Sequence, residues 1–334
     1  MGSTRRATTA WAAVVAALLL LPGCATAPAP PPDAPLARTL AGQVGAEGAT
    51  VHLEALQTIA DDNGGDRASG GPGYERSVDY VAGALRDAGF EVTTPAYEVA
   101  PGQVLRNVVA QTRTGDPAAV VMAGAHLDSV SDGPGLNDDG SGVAALLEIA
   151  EELGPDPDVR HAVRFGFWGS EEDELQGSTG YVRSLSAPEQ ASIALYLNLD
   201  MLASPNGGYF VQGGEGMRRS SSGPSGSETV ARVLTEELAR TGVTAETIPF
   251  TGDDESAFVE ADIPVGGAVT GDDETKTAEQ ARAWGGEPGA VYDRCYHESC
   301  DRLGNVDETS LDRYTRAVAG TLARFATAPD RPLP

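Results

Sequence analysis

Five side chains are of the kind that holds metal ions: His126, Asp138, Glu172, Asp200 and His297. Each follows an apolar run or sits in a Gly-rich or short cysteine-bounded loop. Two imidazoles and three carboxylates suit a pair of Zn2+ ions, which take nitrogen and oxygen donors of borderline hardness. A sixth residue, Glu171, stands beside Glu172 and is placed to act as a base. If these groups converge, the chemistry is metal-dependent hydrolysis.

The segments around them sharpen this. In Ala125-His126-Leu127-Asp128 an extended backbone points residues two apart the same way, so Asp128 can reach the imidazole of His126. A carboxylate on the far ring nitrogen fixes the tautomer and raises ligand basicity. The plain alternative is a polar strand end, although the chain has only four histidines. Gly135-Leu136-Asn137-Asp138-Asp139-Gly140-Ser141-Gly142 puts adjacent carboxylates in a turn that opens a helix. One of Asp139 and Ser141 is expected to cap that helix, while Asp138 is placed to bridge two cations. A strained or even cis peptide between Asp138 and Asp139 fits such a turn.

Trp168-Gly169-Ser170-Glu171-Glu172-Asp173-Glu174 follows an apolar strand. Asp173 and Glu174 read as a solvated helix start. Of Glu171 and Glu172, one can bind metal while the other takes a proton from water, its pKa raised by neighbouring carboxylates. Asp200 ends the apolar run Leu197-Asn198-Leu199 and has no base near it in sequence; a buried charge needs a partner or a metal. In Cys295-Tyr296-His297-Glu298-Ser299-Cys300 a short bridge between Cys295 and Cys300 would hold His297 rigidly, and Tyr296 could donate to a developing oxyanion. Closing so small a loop stabilises by roughly 2 kcal/mol; two free, buried thiols are the alternative.

The elements that position these groups alternate from about Leu53. Tyr74–Ala88 has Val78, Val81, Ala82 and Leu85 on one helical face, and Gly89 stops it. Leu105–Thr112, Ala118–Ala125, Ala162–Trp168 and Ile193–Met201 are strand-like, the last three almost wholly apolar, as strands buried on both faces are. Gly142–Leu153 is an amphipathic helix with Val143, Leu146, Leu147 and Ile149 inward and Glu148, Glu151 and Glu152 outward. Glu228–Arg240 and Ser310–Phe325 are two later helices, and Gly207–Gly226 reads as a loop. The alternation predicts an α/β fold: one domain with a mostly parallel, mixed central β-sheet and helices on both faces. Sites in such folds lie beyond the carboxyl ends of the strands, where the candidate ligands fall.

The chain has 334 residues and a net charge of −26. That acidity excludes nucleic acid as an expected partner, since phosphate binding needs a basic face. Residues 1–34 read as a targeting segment: Arg5 and Arg6, an apolar run Trp11–Leu21 too short to span a bilayer, then Leu21-Pro22-Gly23-Cys24. The last four resemble a lipobox, in which Cys24 is lipidated; an ordinary secretory signal containing Cys24 is the alternative. Ala25–Pro35 then forms an extended Ala/Pro-rich tether. Of three cysteines, Cys24 is left over once Cys295 and Cys300 pair. The expected layout is signal and tether to 34, a catalytic domain over 35–327 and a disordered tail over 328–334. The protein is expected to be exported, as a lipoprotein on the outer face of the membrane or secreted, and to be monomeric. The membrane is a partner only through the lipid.

Over about Leu53–Ala326 the chain resembles the zinc aminopeptidases of family M28, clan MH, especially its secreted bacterial type. The strings that carry this are Gly64-Gly65-Asp66-Arg67-Ala68-Ser69-Gly70, Ala125-His126-Leu127-Asp128-Ser129-Val130, Leu136 through Gly142, and Arg294-Cys295-Tyr296-His297. The resemblance implies the zinc-exopeptidase fold and two Zn2+ per chain. One ion would be held by His126 and Asp200, the other by Glu172 and His297, with Asp138 bridging. It implies Glu171 as general base and acid, Tyr296 as oxyanion donor, Asp128 as a catalytic partner of His126, a Cys295–Cys300 disulfide, and peptides with a free N-terminus as substrates.

Departures from the family pattern are informative. Asp312 matches the first of two acids that bind calcium in relatives, but Arg316 stands where the second belongs, so no calcium site is predicted. Gly252-Asp253-Asp254-Glu255-Ser256-Ala257-Phe258 lacks the His and nearby Arg of the usual stretch. Ala268-Val269 replaces a Leu-Phe pair, which predicts a less aromatic pocket for the substrate's first side chain. Three other readings share the fold: a glutaminyl-peptide cyclotransferase using one zinc, a non-catalytic surface binding protein with a relic site, and a carboxypeptidase or deacylase. The complete set of five ligands and a base argues against the first two, and the Tyr296-His297 loop against the third.

Overall fold

The computed structural model describes Gly2 and residues 31–32, 34–213 and 223–333. The targeting segment with Cys24, and residues 214–222 of the Gly/Ser-rich stretch, lie outside the described residues.

Among the described residues there are ten strands and ten α-helices. The strands are β1 (Glu91–Thr93), β2 (Ala96–Ala100), β3 (Gln103–Arg106), β4 (Val108–Gln111), β5 (Asp116–His126), β6 (His161–Trp168), β7 (Ile193–Leu199), β8 (Phe210–Gln212), β9 (Glu246–Ile248) and β10 (Val265–Val269). The helices are α1 (Pro35–Gln43), α2 (Ala46–Asp62), α3 (Pro72–Asp87), α4 (Gly140–Leu153), α5 (Gln176–Ser184), α6 (Ala187–Ser192), α7 (Ser227–Arg240), α8 (Glu255–Glu260), α9 (Ala278–Trp284) and α10 (Glu308–Ala326). Eight strands make one sheet in the order β1-β4-β6-β5-β7-β10-β8-β9. Its centre, β6-β5-β7-β10, is parallel; antiparallel pairs lie towards both edges.

The strand period of two divides the core. Val121, Ala123 and Ala125 of β5 face the larger cluster, built with α1 to α4, α7 and α10. Val120 and Met122 face the smaller one, with Tyr181 of α5 and Phe258 of α8. Helices therefore cover both faces, and the central strands are apolar on both sides as expected. At Gly124 a Cβ would come within 2.5 Å of both the Trp168 indole nitrogen and the Tyr196 hydroxyl. Only glycine lets that buried hydrogen bond, 2.9 Å long, cross the strand.

Four details differ from the sequence reading. The run Leu105–Thr112 is two strands. β3 pairs with β2 in a separate ribbon and β4 enters the main sheet. The break is at Asn107, whose amide donates to Pro95 O at 2.9 Å while its side chain holds Gly177 and Gly169. Glu148 is buried rather than outward, because Gly48 of α2 has no side chain and the Glu148 carboxylate fills the space. The tail expected to be disordered is held in place over 328–333: Leu333 lies in the core, and Arg331 donates to Ala118 O and Ala191 O at 2.8 and 2.7 Å. Helices α1 and α2 start the fold earlier than the alternation from Leu53 suggested. At the departed calcium position Arg316 Nε donates to Asp312 Oδ2 at 2.8 Å, so that acid carries a guanidinium counter-ion. Among the described residues no helix is long and apolar enough to cross a membrane.

Candidate metal centre

The parallel strands deliver their ends to one place. Register pairs His126, the last residue of β5, with Trp168, the last of β6. The turn after Trp168 carries Glu171 and Glu172. Asp200 follows the last residue of β7, its amide donating to Ala268 O of β10 at 3.1 Å. Asp138 lies in the turn entering α4, before a cis Asp138–Asp139 peptide. His297 comes from the far end of the chain on a loop closed by the Cys295–Cys300 disulfide. All five expected ligands and Glu171 thus meet beyond the carboxyl edge of the sheet.

Asp138 is at the centre. Its Oδ1 is 3.0 Å from His126 Nε2 and its Oδ2 is 3.3 Å from His297 Nε2. On the first side Asp200 Oδ1 lies 3.8 Å from His126 Nε2. On the second, Glu172 Oε2 lies 3.0 Å from His297 Nε2. Donor atoms of His126, Asp138 and Asp200 lie within 4.8 Å of one another, and so do those of Asp138, Glu172 and His297. Glu171 Oε2 stands 4.0 Å from His126 Nε2, beside both sets. Tyr296 stacks on His297 with centroids 3.9 Å apart and lines the adjoining cavity.

Backbone and buried side chains fix these positions. Asp128, fully buried, sets Oδ1 3.6 Å from His126 Nδ1 and accepts the Glu171 amide at 3.2 Å. The Asp128 backbone carbonyl lies 3.2 Å from the same ring nitrogen, so Asp128 positions both a candidate ligand and the candidate base. Asp139 caps α4 by accepting from Gly142 N at 2.9 Å. It also accepts from Met201 N at 3.1 Å and His126 N at 3.2 Å, so one carboxylate ties three ligand-bearing segments. Asp301 accepts the amides of Asn137 and Asp138 at 2.8 and 3.0 Å. Arg67, fully buried, donates to Leu127 O, to Pro134 O at 2.8 Å and to Gly135 O at 2.6 Å; Gly135, at φ +62°, is in the left-handed region that glycine tolerates. Three non-glycine residues also take positive φ here: Ser170, Met201 and His297, at 54°, 49° and 58°. Two adjoin Glu171 and Asp200 and the third is a candidate ligand, so local strain is concentrated at the candidate site.

Asp301 and the triple role of Asp139 were not legible as site features; the capping role of Asp139 was. Nor does the sequence around Arg67, Gly64 through Gly70, mark its guanidinium as a clamp on distant carbonyls. No spacing signal marks a carboxylate whose work is to hold amides far away in sequence.

The charges are mutually dependent. Burial lowers the readiness of Glu171 to ionise and pushes its carboxyl up to about 9; His126 opposes this, and Asp254, Asp138 and Asp128 add to it. Burial also raises the carboxyl of Asp200, with Asp139 adding. Burial alone would raise Asp138, but hydrogen bonds and charge from His126 and His297 outweigh it and hold the carboxyl below the usual range. Hydrogen bonds to Asp138 and Glu172 push the His297 imidazole up to about 10. Asp128 Oδ2 and Glu172 Oε1 are buried without a hydrogen-bond partner among the described residues. Buried carboxylates that lack donors and crowd two imidazoles fit divalent cations, which supply the missing positive charge. The nitrogen and oxygen donor set fits zinc.

Residues 107–322 match Peptidase family M28. The chain belongs to peptidase family M28. It is 45% identical over 315 residues to "Leupeptin-inactivating enzyme 1" of Streptomyces exfoliatus, covering 92% of this chain and 66% of that protein. It is 43% identical over 295 residues to the "Probable lipoprotein aminopeptidase LpqL" of Mycobacterium tuberculosis, covering 84% and 59%. The chain thus spans less than two thirds of the length of either relative. The M28 fold is shared with a zinc aminopeptidase from Bacillus subtilis: TM-score 0.68 at 14% identity, covering 85% of this chain and 95% of that one. A glutaminyl cyclase from Porphyromonas gingivalis has the same fold, with TM-score 0.61 at 20% identity over 83% of this chain and 97% of that one.

Proposed function

We propose that the protein is an aminopeptidase that removes the N-terminal residue of peptides at a dinuclear zinc centre. His126 and Asp200 would hold one ion and Glu172 and His297 the other, with Asp138 shared between the two groups. The observation that carries this reading is the split of Asp138, one oxygen towards each histidine. When bound, the two ions polarise the scissile carbonyl, lower the pKa of water and offset the repulsion between the carboxylates.

The chain's own groups do the rest. Glu171 takes the proton of the attacking water on its carboxylate and returns it to the leaving amine. Asp128 holds the Glu171 backbone and the His126 ring in register for this. Tyr296, whose phenol is kept protonated by burial and the surrounding carboxylates, donates to the oxyanion as it forms. The carboxylates of Glu171 and Asp200 attract a free α-ammonium, which limits the reaction to the first peptide bond. The names of the relatives, a leupeptin-inactivating enzyme and a lipoprotein aminopeptidase, support the same activity and export. The catalytic domain extends over 35–327, and the monomeric chain is exported, either lipidated at Cys24 or secreted.

The test is Glu171→Gln with zinc content measured. A fall of about 10²–10⁴ in kcat on aminoacyl-anilides is expected, with the metal retained. Activity within a few-fold of wild type would exclude Glu171 as the base. The cyclotransferase reading makes a different demand: one zinc per chain, and release of pyroglutamyl products from N-terminal glutamine.

A further inference from the structure

A cavity of about 210 Å3 opens from the metal centre, bounded there by Asp138, Glu171 and Asp200. Two sets of acids border it. Asp253 joins Glu171 and Asp200, one oxygen of each lying within 4.8 Å of the others; this set faces an α-ammonium. The second set is Glu246, Asp272 and Glu274, which line the cavity together with Tyr292. Tyr292 donates to Gln280 Oε1 at 2.7 Å, and Gln280 Nε2 donates to Glu246 Oε2 at 3.0 Å. Phe210, Ile248 and Val269 supply apolar wall in the same cavity. Among the described residues that line the cavity there is no lysine or arginine.

A cavity that joins apolar wall to several carboxylates, with no lysine or arginine among the described residues of its lining, matches one kind of side chain. Lysine and arginine lay a methylene stem on apolar surface and carry their charge at the tip. A leucine side chain would use the wall and leave the second acid set facing no cation. Val269, where a phenylalanine would narrow the cavity, leaves room for the longer stem.

We infer that this cavity receives the first side chain of the substrate and selects a cationic one, through Glu246, Asp272 and Glu274. The inference rests on the aminopeptidase reading above. Each of Glu246 and Glu274 is exposed, so single pairings are weak in water and the selection is collective.

Lysyl-, arginyl- and norleucyl-anilides test it, since norleucine keeps the chain length of lysine without the charge. With the zinc-loaded wild type, kcat/KM for the lysyl and arginyl compounds is expected to exceed the norleucyl value about tenfold or more. In 0.5 M NaCl that ratio shrinks. In the double variant Glu246→Gln/Glu274→Gln the lysyl-to-norleucyl ratio falls at least several-fold. A norleucyl value equal to or above the lysyl one, or a ratio unmoved by both salt and the double variant, overturns the pocket assignment while leaving the peptidase reading intact. Failure to cleave any of the three anilides overturns the peptidase reading and the pocket assignment with it.

Discussion

The carboxylate of Asp301 accepts the backbone amide of Asp138 at 3.0 Å. Asp301 follows Cys300 directly, so the disulfide loop that carries His297 and the turn that carries Asp138, the proposed bridging ligand, are held as one unit. Asp301 is buried, with Asn305 Nδ2 3.3 Å from its other oxygen. Asp301→Ala leaves the amides of Asn137 and Asp138 buried without acceptors, at a cost of about 1–3 kcal/mol each. A loss of roughly 10–100-fold in zinc affinity is expected, as for other residues that orient metal ligands. Competition with a chromophoric chelator measures it; unchanged affinity in a folded variant would mean that Asp301 only stabilises the loop.

The disulfide has two separable effects. Closing the loop stabilises the fold by roughly 2 kcal/mol, so Cys295→Ser/Cys300→Ser is expected to lower the melting temperature by several degrees. Its activity is expected to fall further than that change implies, because the closed loop holds His297 at a φ of 58°, a region that a non-glycine residue leaves readily once unconstrained. Parallel melting curves and kcat/KM, with wild type after mild reduction as the comparison, check both parts. Loss of stability with full activity would contradict the second.

Tyr296→Phe keeps the ring that stacks on His297 and removes the donor. A fall of about 10–10³-fold in kcat with KM changed little is expected. A KM effect alone would move Tyr296 from stabilising the oxyanion to binding substrate.

The convergence of the strand-end candidates was legible because buried apolar runs ending in His or Asp leave few other roles for those side chains. His126, Asp200 and the Glu171-Glu172 pair were visible this way, and Asp139 as a cap. His297 needed the cysteines on either side. What stayed hidden involves backbone. The Arg67 guanidinium works on carbonyls of residues 127, 134 and 135, and Asp301 on amides of 137 and 138. Side-chain patterns carry no trace of such contacts. Glu148 looked outward on a helical wheel because the wheel does not include Gly48 packed across from it. The acids around Tyr292 were equally invisible, since Glu246, Asp272 and Glu274 come together only when β9 and the loop after β10 do.

His52 gives stability a pH dependence remote from the metal centre. Burial lowers its imidazole pKa from 6.5 to about 4, while Nδ1 sits 2.8 Å from the Tyr80 hydroxyl. The folded state keeps His52 neutral where the unfolded chain takes up a proton. Stability from this group is therefore complete above pH 6.5 and is lost as pH falls towards 4, by at most about 3 kcal/mol. Glu151 Oε1, 3.7 Å from Nε2 and 40% exposed, favours the charged ring and reduces that figure. Urea midpoints at pH 7, 5.5 and 4.5 are expected to fall less steeply for His52→Gln than for wild type; equal slopes would contradict the assignment.

The most direct measurement is a zinc titration of the metal-free protein, with bound metal and peptide hydrolysis read on the same samples. Two ions per chain are expected to bind and activity to rise until the second site is filled, because Asp138 divides its oxygens between His126 and His297. Hydrolysis that persists in the metal-free protein, or saturation of both binding and activity at one ion per chain, would contradict the dinuclear centre.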